Sequence, residues 1–493
     1  MKFIPVSLLC AAASLVNAQY AGTAPIPDEY RKGVEAITVE DAKGFLYYLA
    51  GPECEGRGTL QPGFQKAAQF VAARFKEFGL KPVGDKGFFQ IVHFARTTLR
   101  PADSGLLSSS GKRYAGDGEI AFGSLSKNTD VSGEVIWLRL PETGHLPATA
   151  KLKGKIVVVT TRANNTLRNE ISAQDPLALV AVVDEVFQAG GSGQRPTAQN
   201  LSRVSITKAV AAKIAADMGV PATLLDPAAP EAEAQVLAGK GKLRLVAKFD
   251  ETDPIDAMNV VGYLEGSDPK LKKELIGIGA HLDHLGKRGE TVYPGADDDG
   301  SGSTAVLTIA KAFHESGVRP KRSILFMTFC GEELGLLGSG FYSDHPIFPH
   351  ENMIAELQMD MVGRDSDGSQ NGDPNRIDKK DENVDTIRLV GSKRISSDLD
   401  NLIEADNKYI GFKFKWDAED VYTRSDHYNF AKHGIPIAFL FDGFHPDYHR
   451  PTDTVDKIDW AKLTNAAKLY YIVAIDLANN PAKPRHDVAQ TGG

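Results

Sequence analysis

The chain has 493 residues, which is too long for one ordinary hydrophobic core and indicates two or three domains. Its hydrophobic share of 42% and charged share of 24% are those of a globular protein. The formal net charge of -8 argues against a nucleic-acid partner, because such a partner would favour a basic surface.

The N-terminus has the pattern of a secretory signal peptide. Lys2 precedes a short apolar run, which ends in small residues at Ala18. We expect residues 1–18 to be removed and the protein to be secreted or periplasmic. The alternative is a buried first helix. No later apolar run reaches about 18 residues, so no membrane span is expected.

Removal of the signal peptide would leave two cysteines, Cys54 and Cys330. So few cysteines cannot form a disulfide framework, and we expect buried free thiols. The alternative, a single disulfide bond between Cys54 and Cys330, is not decided by the sequence.

Residues 19–105 begin the main domain. Apolar residues at helical spacing predict helices over 38–50 and 65–78, separated by the loop 51–63. The stretch 80–94 reads as a turn followed by a strand.

The composition changes near residue 105, where serine and glycine become frequent. Short β-type runs and one helical segment follow, at 133–140, 155–161, 178–183, 207–219 (helix) and 243–249. We therefore expect residues 106–246 to form a separate β-rich module inserted into the main domain.

Residues 247–480 return to the main domain with alternating strands and helices. The predicted strands are 259–264, 275–280, 323–329, 353–363 and 435–441, and the predicted helices are 301–316, 334–344, 395–408 and 459–478. This alternation predicts an α/β fold with a largely parallel mixed sheet flanked by helices. The C-terminal tail, 481–493, is expected to be loose.

Histidines and acids cluster in five short stretches, each next to an apolar strand. They are His281, Asp283 and His284; Asp297, Asp298 and Asp299; Glu332 and Glu333; Asp360; and His449 and Asp453. Ligands of open α/β sheets bind beyond the carboxyl ends of the strands, so these side chains could converge on one edge.

Mixed histidine and carboxylate ligands suit zinc. Two divalent cations about 3.5–4 Å apart need a carboxylate that bridges them as well as terminal ligands. A neighbouring free carboxylate can take the proton of a water. The HExxH motif of helical zinc proteases is absent from the sequence.

These motifs resemble the co-catalytic dinuclear-zinc exopeptidases, the family of leucyl aminopeptidases and glutamate carboxypeptidase. The resemblance covers about 250–475, and the stretch 55–80 resembles the family's N-terminal helix region. The stretches 152–162 and 204–216 resemble, more weakly, a protease-associated domain.

The resemblance implies two zinc ions per chain and a role for each matching residue. His281 and Asp360 would bind one zinc ion, Glu333 and His449 the other, and Asp298 both. Glu332 would be the general base for a water held between the metals, Asp283 would orient His281, and Tyr448 would stabilise the oxyanion. Asp453 could orient His449, and the Asp298–Asp299 peptide bond is the candidate for a cis bond.

Other polar residues near these motifs allow a simpler interpretation. A turn explains Asp297. His284 is either a supporting group or a surface residue, and Arg57 either borders the site or ties its loop to the sheet. Ser425, Asp426 and His427 resemble a family motif near the site. The other histidines, including His445, are expected to have no role in the site.

The implied activity is that of a metallopeptidase, most simply a zinc aminopeptidase acting on peptides. A carboxypeptidase of the glutamate type is the alternative, for which Arg364 and Arg424 are the candidate carboxylate-binding residues. A non-catalytic binding protein of the same fold is a third possibility, although such relatives lose metal ligands. The oligomeric state stays open.

Overall fold

The computed structural model describes residues 20–114, 118–122, 128–140, 145–160, 165–184, 186, 202–225, 235–365, 368–369, 377–416 and 421–487. The chain divides into two compact units. The main unit is Met1–Val92 with Ala257–Gly493, and the inserted unit is His93–Asp256. The expected signal peptide, 1–18, lies outside the described residues.

The boundaries of the inserted unit correct the predicted 106 and 246. The serine- and glycine-rich composition starts well inside this unit, because the strand Phe89–Leu99 continues through the boundary without interruption. The strand Phe249–Leu264 does the same at the other end. A change in composition therefore did not mark either boundary.

The N-terminal part of the main unit contains α1 (Asp28–Ala36), α2 (Val39–Leu49), α3 (Pro62–Glu77), β1 (Lys81–Pro82) and the start of β2 (Phe89–Leu99). Thr38 caps α2 by accepting the N–H of Asp41 at 3.1 Å. Helix α1 was not predicted, because its sequence is mostly polar. Only one narrow stripe of it is buried, at Tyr30, Gly33 and Val34.

The inserted unit is built around an eight-stranded mixed sheet. Its elements are β3 (Gly105–Ser108), β4 (Arg113–Tyr114), β5 (Ile120–Ala121), β6 (Thr129–Arg139), β7 (Ile156–Val159), α4 (Asn165–Ala173), β8 (Ala178–Val183), β9 (Ser202–Thr207), α5 (Lys208–Asp217) and β10 (Gln235–Ala247). The strand order is β4-β3-β10-β6-β7-β8-β9-β5, with β6 to β9 parallel. Trp137 lies fully buried in its core.

The rest of the main unit alternates strands and helices. Its elements are β11 (Phe249–Leu264), β12 (Leu275–His281), β13 (Gly286–Arg288), β14 (Thr291–Tyr293), α6 (Gly300–Ser316), β15 (Ser323–Phe329), α7 (Leu337–Asp344), β16 (Met353–Met359), β17 (Gly368–Ser369), β18 (Ile377–Asp378), α8 (Lys380–Asn383), β19 (Thr386–Val390), α9 (Ser392–Ile395), α10 (Ser397–Asn407), β20 (Lys413–Lys415), α11 (His427–Ala431), β21 (Ile437–Phe441) and α12 (Trp460–Asn479).

The main sheet has the order β1-β11-β15-β12-β16-β21-β19-β20, with β2 paired to β11. Its centre, β15-β12-β16-β21, is parallel, whereas β11 and β19 are antiparallel to their neighbours β15 and β21. The predicted mixed α/β sheet is therefore confirmed. Every residue of β12, β15 and β16 is buried, which explains why these strands read as continuous apolar runs.

Helices cover both faces of this sheet. On β15, Leu325, Met327 and Phe329 pack with α7, α9 and α11. Phe326, which points to the opposite face, contacts Phe313 of α6. The long helices α6 and α12 pack together on that face with α1 and α2. Among the described residues, no helix combines the length and apolar character needed to cross a membrane.

The first residues of the predicted loose tail are held in place. Arg485 forms two side-chain bonds to Asp398, at 2.7 and 2.9 Å, and the Asp487 N–H donates to the Ile395 carbonyl at 2.8 Å. The prediction is therefore wrong for 481–487. Residues 488–493 lie outside the described residues.

Candidate metal centre

The carboxyl ends of the parallel strands bring the predicted ligands to one edge of the sheet. Strand β12 ends at His281, and β15 ends just before the loop with Glu332 and Glu333. Strand β16 ends one residue before Asp360, and His449 lies in the loop after β21. Strands that run in the same direction end at the same edge, so residues far apart in sequence meet there.

The Asp298 carboxylate lies between two histidines. Its Oδ1 is 3.3 Å from His281 Nε2, and its Oδ2 is 3.1 Å from His449 Nε2. Asp360 Oδ1 lies 3.5 Å from His281 Nε2, and Glu333 Oε1 lies 3.2 Å from His449 Nε2. The five predicted ligands therefore form one cluster, in which Asp298 directs one oxygen toward each histidine.

Two further side chains complete the cluster. Glu332 Oε2 is 3.8 Å from His281 Nε2, and ligand atoms of His281, Glu332 and Asp360 lie within 4.8 Å of one another. The same holds for His284, Asp298 and Glu333. His284, whose role the sequence left open, is buried with its Nδ1 only 2.8 Å from Glu333 Oε1.

The electrostatic field of the cluster is strongly negative. Burial acts to lower the pKa of His281, yet Asp360, Glu332 and Asp298 together raise it well above 6.5. Likewise, burial opposes protonation of His449, but Glu333 and Asp298 raise its pKa to about 10. Burial raises the pKa of Glu332 well above its usual range.

This donor set fits divalent metal ions. Imidazole nitrogens and carboxylate oxygens are zinc ligands. The Asp298 carboxylate here lies between His281 and His449, with Asp360 next to the first histidine and Glu333 next to the second. The Asp298 Oδ2 atom is buried, and among the described residues it accepts no hydrogen bond of good geometry, although His449 Nε2 lies 3.1 Å away. A buried acceptor of this kind requires a cation or another donor close by.

Two predicted supporting contacts differ from the expectation. His281 Nδ1 is 2.9 Å from the backbone oxygen of Asp283, whereas the Asp283 carboxylate is 3.8 Å away. That carboxylate instead accepts the Glu332 N–H at 3.0 Å. Asp453 accepts the N–H groups of Asp297 and Asp298, at 3.0 and 3.2 Å, and in the part of the chain that the structure describes no hydrogen bond or ion pair joins it to His449. The carboxylates of Asp283 and Asp453 therefore both accept hydrogen bonds from backbone N–H groups of loops.

The acidic loop before α6 is held mainly through backbone groups. Asp299 accepts the N–H groups of Gly302, His281 and Met361, at 2.8, 3.1 and 3.2 Å, so that one carboxylate links α6, β12 and the end of β16. The Asp298–Asp299 peptide bond is cis, as the resemblance implied.

The structure corrects the interpretation of Asp297 as a turn residue and of His445 as a residue with no role in the site. Asp297 accepts the Gly363 N–H at 2.8 Å and is fully buried, so it is more than a turn residue. His445 is also buried, with Nε2 at 3.2 Å from Asp297 Oδ2. Nothing in the sequence around His445 indicated that it would pair with Asp297.

A pocket with about 320 Å³ of empty space, part of it open to solvent, lies at the cluster and is lined on one side by His281, Asp298, Glu332 and Asp360. Val421, Phe439, Phe441 and Phe444 form an apolar part of its wall. Tyr448 and Arg424 also line it, and the Arg424 guanidinium lies 4.4 Å from the Phe444 ring centroid. The other candidate arginine, Arg364, is buried and bonded to Asp447 at 2.8 Å.

The remaining candidates divide into two kinds. Ser425 donates to Asp360 Oδ2 at 2.7 Å and so supports a predicted ligand. His427 stacks on Phe439 and bonds to the Tyr422 carbonyl, and burial lowers its pKa to about 3. His427 is therefore a core residue.

Cys54 and Cys330 are both buried free thiols.

Comparison with known proteins defines the class of the fold and site. Residues 259–473 match the model of Peptidase family M28. The resemblance to the dinuclear-zinc exopeptidases is therefore confirmed for this part of the chain, which holds every residue of the cluster.

Individual relatives carry aminopeptidase names. A probable leucine aminopeptidase of Arthroderma otae is 32% identical over 219 residues, covering 43% of this chain and 56% of the relative. Aminopeptidase YwaD of Bacillus subtilis is 26% identical over 263 residues, covering 52% of this chain and 51% of the relative. The chain thus spans about half the length of the curated relatives that it matches.

Solved structures share the fold over most of the chain. An aminopeptidase from Aneurinibacillus sp. strain AM-1 has a TM-score of 0.57 at 21% identity, covering 94% of this chain and 98% of that chain. BSAP, a zinc aminopeptidase from Bacillus subtilis, has a TM-score of 0.58 at 19% identity, covering 92% and 98%. At such identities the likeness establishes the fold alone.

Arg57 fastens the N-terminal segment to the loop that carries the cluster. Its fully buried guanidinium donates to four carbonyl groups, those of Leu282 and Leu49 at 2.8 Å, Pro294 at 2.8 Å and Gly295 at 2.7 Å. Of the two alternatives left open by the sequence, the structure therefore favours a tie between the segments.

We predict that Arg57→Lys lowers the free energy of unfolding by at least about 2 kcal/mol, because a lysine cannot reach all four buried carbonyls. Urea denaturation followed by circular dichroism measures this change. The matched control is Arg31→Lys, since Arg31 pairs with Asp28 on the exposed surface of α1. Equal stabilities for the two variants would contradict the assigned role.

Proposed function

We propose that the chain is a zinc-dependent aminopeptidase that removes N-terminal residues from peptides. The observation that carries the proposal is the Asp298 carboxylate between His281 and His449, with Glu332 beside it. The match to Peptidase family M28 and the aminopeptidase names of the relatives support it.

Five side chains would hold two zinc ions. His281 and Asp360 would bind one ion, Glu333 and His449 the other, and Asp298 both, in keeping with the distances from the two histidines to these carboxylates. Zinc, when bound, polarises the scissile carbonyl group and lowers the pKa of a coordinated water. His284 would hold Glu333 in place through its 2.8 Å contact.

Glu332 is the proposed general base. It takes a proton from the attacking water and delivers it to the leaving amine. Its carboxylate lies 3.8 Å from His281 Nε2 and lines the pocket, so it borders the place where the water and the scissile bond would meet. Tyr448 lines the same pocket and can donate its hydroxyl hydrogen to the oxygen on which negative charge develops.

The names of the relatives favour an aminopeptidase over a carboxypeptidase. Of the two candidate carboxylate-binding arginines, Arg364 is already held by Asp447 and Asp453, whereas Arg424 lines the pocket. The apolar part of the pocket wall suits an apolar side chain on the residue that is removed.

The location of the protein and the inserted unit are also part of the proposal. The sequence of residues 1–18 supports export from the cytoplasm, with cleavage after Ala18. The parallel strands β6 to β9 and helix α5 support a protease-associated type of domain for His93–Asp256, because the two resembling stretches lie there.

A substrate panel tests the activity. We predict that the purified protein hydrolyses leucyl-p-nitroanilide and leucyl peptides, and that an N-acetyl group slows hydrolysis at least about 100-fold. Amidation of the peptide's C-terminus should have little effect. A zinc chelator should abolish turnover, and added zinc should restore it. Equal turnover of acetylated and free substrates, or none with the zinc-loaded protein, would refute the proposal.

We predict that Glu332→Gln lowers kcat by about 100-fold or more while zinc content is unchanged, since general bases contribute about that much. In contrast, Glu333→Gln should lower zinc content as well. The control is Glu315→Gln, because Glu315 pairs with Lys311 at the end of α6 away from the cluster. Full activity of Glu332→Gln would exclude it as the base.

A further inference from the structure

The short segment 57–61 lies outside the residues that match the peptidase family, 259–473, yet it runs along the loop of the metal centre. The His284 N–H donates to the Arg57 carbonyl at 3.1 Å. Gln61 exchanges two hydrogen bonds with the backbone of Lys287, at 2.8 and 3.1 Å. These bonds fix the segment against the loop that contains Asp283.

Thr59, in the middle of this segment, joins two loops of the centre through its hydroxyl. The hydroxyl donates to Asp283 Oδ2 at 2.7 Å and accepts the Gly331 N–H at 2.9 Å. The other oxygen of Asp283 accepts the N–H of Glu332 at 3.0 Å. The three bonds close a ring through Thr59, Asp283 and the Gly331–Glu332 backbone.

The ring is enclosed by protein. Asp283 is fully buried and Thr59 is 6% exposed. Without the hydroxyl, Asp283 Oδ2 and the Gly331 N–H would each lose a hydrogen bond in a place that water reaches poorly. The backbone before Glu332 would then be free to shift, and the position of that backbone determines where the Glu332 carboxylate lies.

We propose that Thr59 is a positioning residue for Glu332, acting through Asp283 and the Gly331–Glu332 backbone. The inference rests on the proposed function, in which Glu332 is the general base. It assigns to the N-terminal segment a part in catalysis as well as in folding. It also explains why the Asp283 carboxylate faces the Glu332 N–H and Thr59 instead of His281 Nδ1.

The test compares Thr59→Val, which keeps the shape but removes the hydroxyl, with Thr59→Ser, which keeps the hydroxyl. With leucyl-p-nitroanilide, Thr59→Val should lower kcat about 10- to 100-fold with KM changed less than about threefold and zinc content unchanged. Thr59→Ser should stay within about threefold of the wild type. The matched control is Thr464→Val, a buried threonine of α12 that bonds to the Trp460 carbonyl.

A double variant separates positioning from general damage. If Thr59 acts through Glu332, adding Thr59→Val to Glu332→Gln should lower the residual kcat by less than about twofold. Full multiplication of the two effects, an unchanged kcat in Thr59→Val, or a loss that follows zinc content would each overturn the inference. An inactive wild type would instead refute the proposed function, on which the inference depends.

Discussion

Repulsion between buried carboxylates is the constraint on which the rest of the site depends. Asp283, Asp298 and Asp360 are less than 9% exposed, and Glu332 and Glu333 lie beside them. Two like charges about 4 Å apart repel by about 4 kcal/mol at the effective dielectric constant typical near a protein surface. The raised pKa values of His281 and His449 report the same field. Bound divalent cations would offset this repulsion, and the fold keeps the ligands together at the strand ends.

Backbone N–H groups also offset the negative charge of the buried carboxylates. Asp299, Asp283 and Asp453 together accept N–H groups from several loops, so each carboxylate is stabilised and each loop is fixed by the same bonds. Arg57 does the reverse, because its single guanidinium donates hydrogen bonds to four backbone carbonyl groups. The geometry of the centre is thus determined largely by backbone contacts of the supporting residues.

The difference between the ligands at the strand ends and the supporting residues, which bond to loop backbone, explains what the sequence could predict. The strands around the centre are buried on both faces and short, so their apolar runs predicted both the sheet and the edge at which His281, Glu333 and Asp360 meet. The five proposed ligands could be named because their residue types and order resemble a known family. The inserted unit's limits could not be predicted, since strands continue through both boundaries.

The supporting residues were harder to predict for a physical reason. The contacts of Asp453 and Asp283 depend on where loop N–H groups point, which no residue pattern encodes. Thr59 and His445 looked ordinary because a threonine in a loop and a histidine before DYH are common. Only the folded loops show that one links two segments of the centre and that the other pairs with Asp297.

The central claim is that Asp298 is shared by two metal ions, and the zinc content of the purified, zinc-loaded protein tests it most directly. Measured by inductively coupled plasma mass spectrometry, the content should be about two ions per chain. It should fall to about one or less in Asp298→Ala, since both ions would lose a ligand. A wild-type content near or below one, or an unchanged content in Asp298→Ala, would contradict the account.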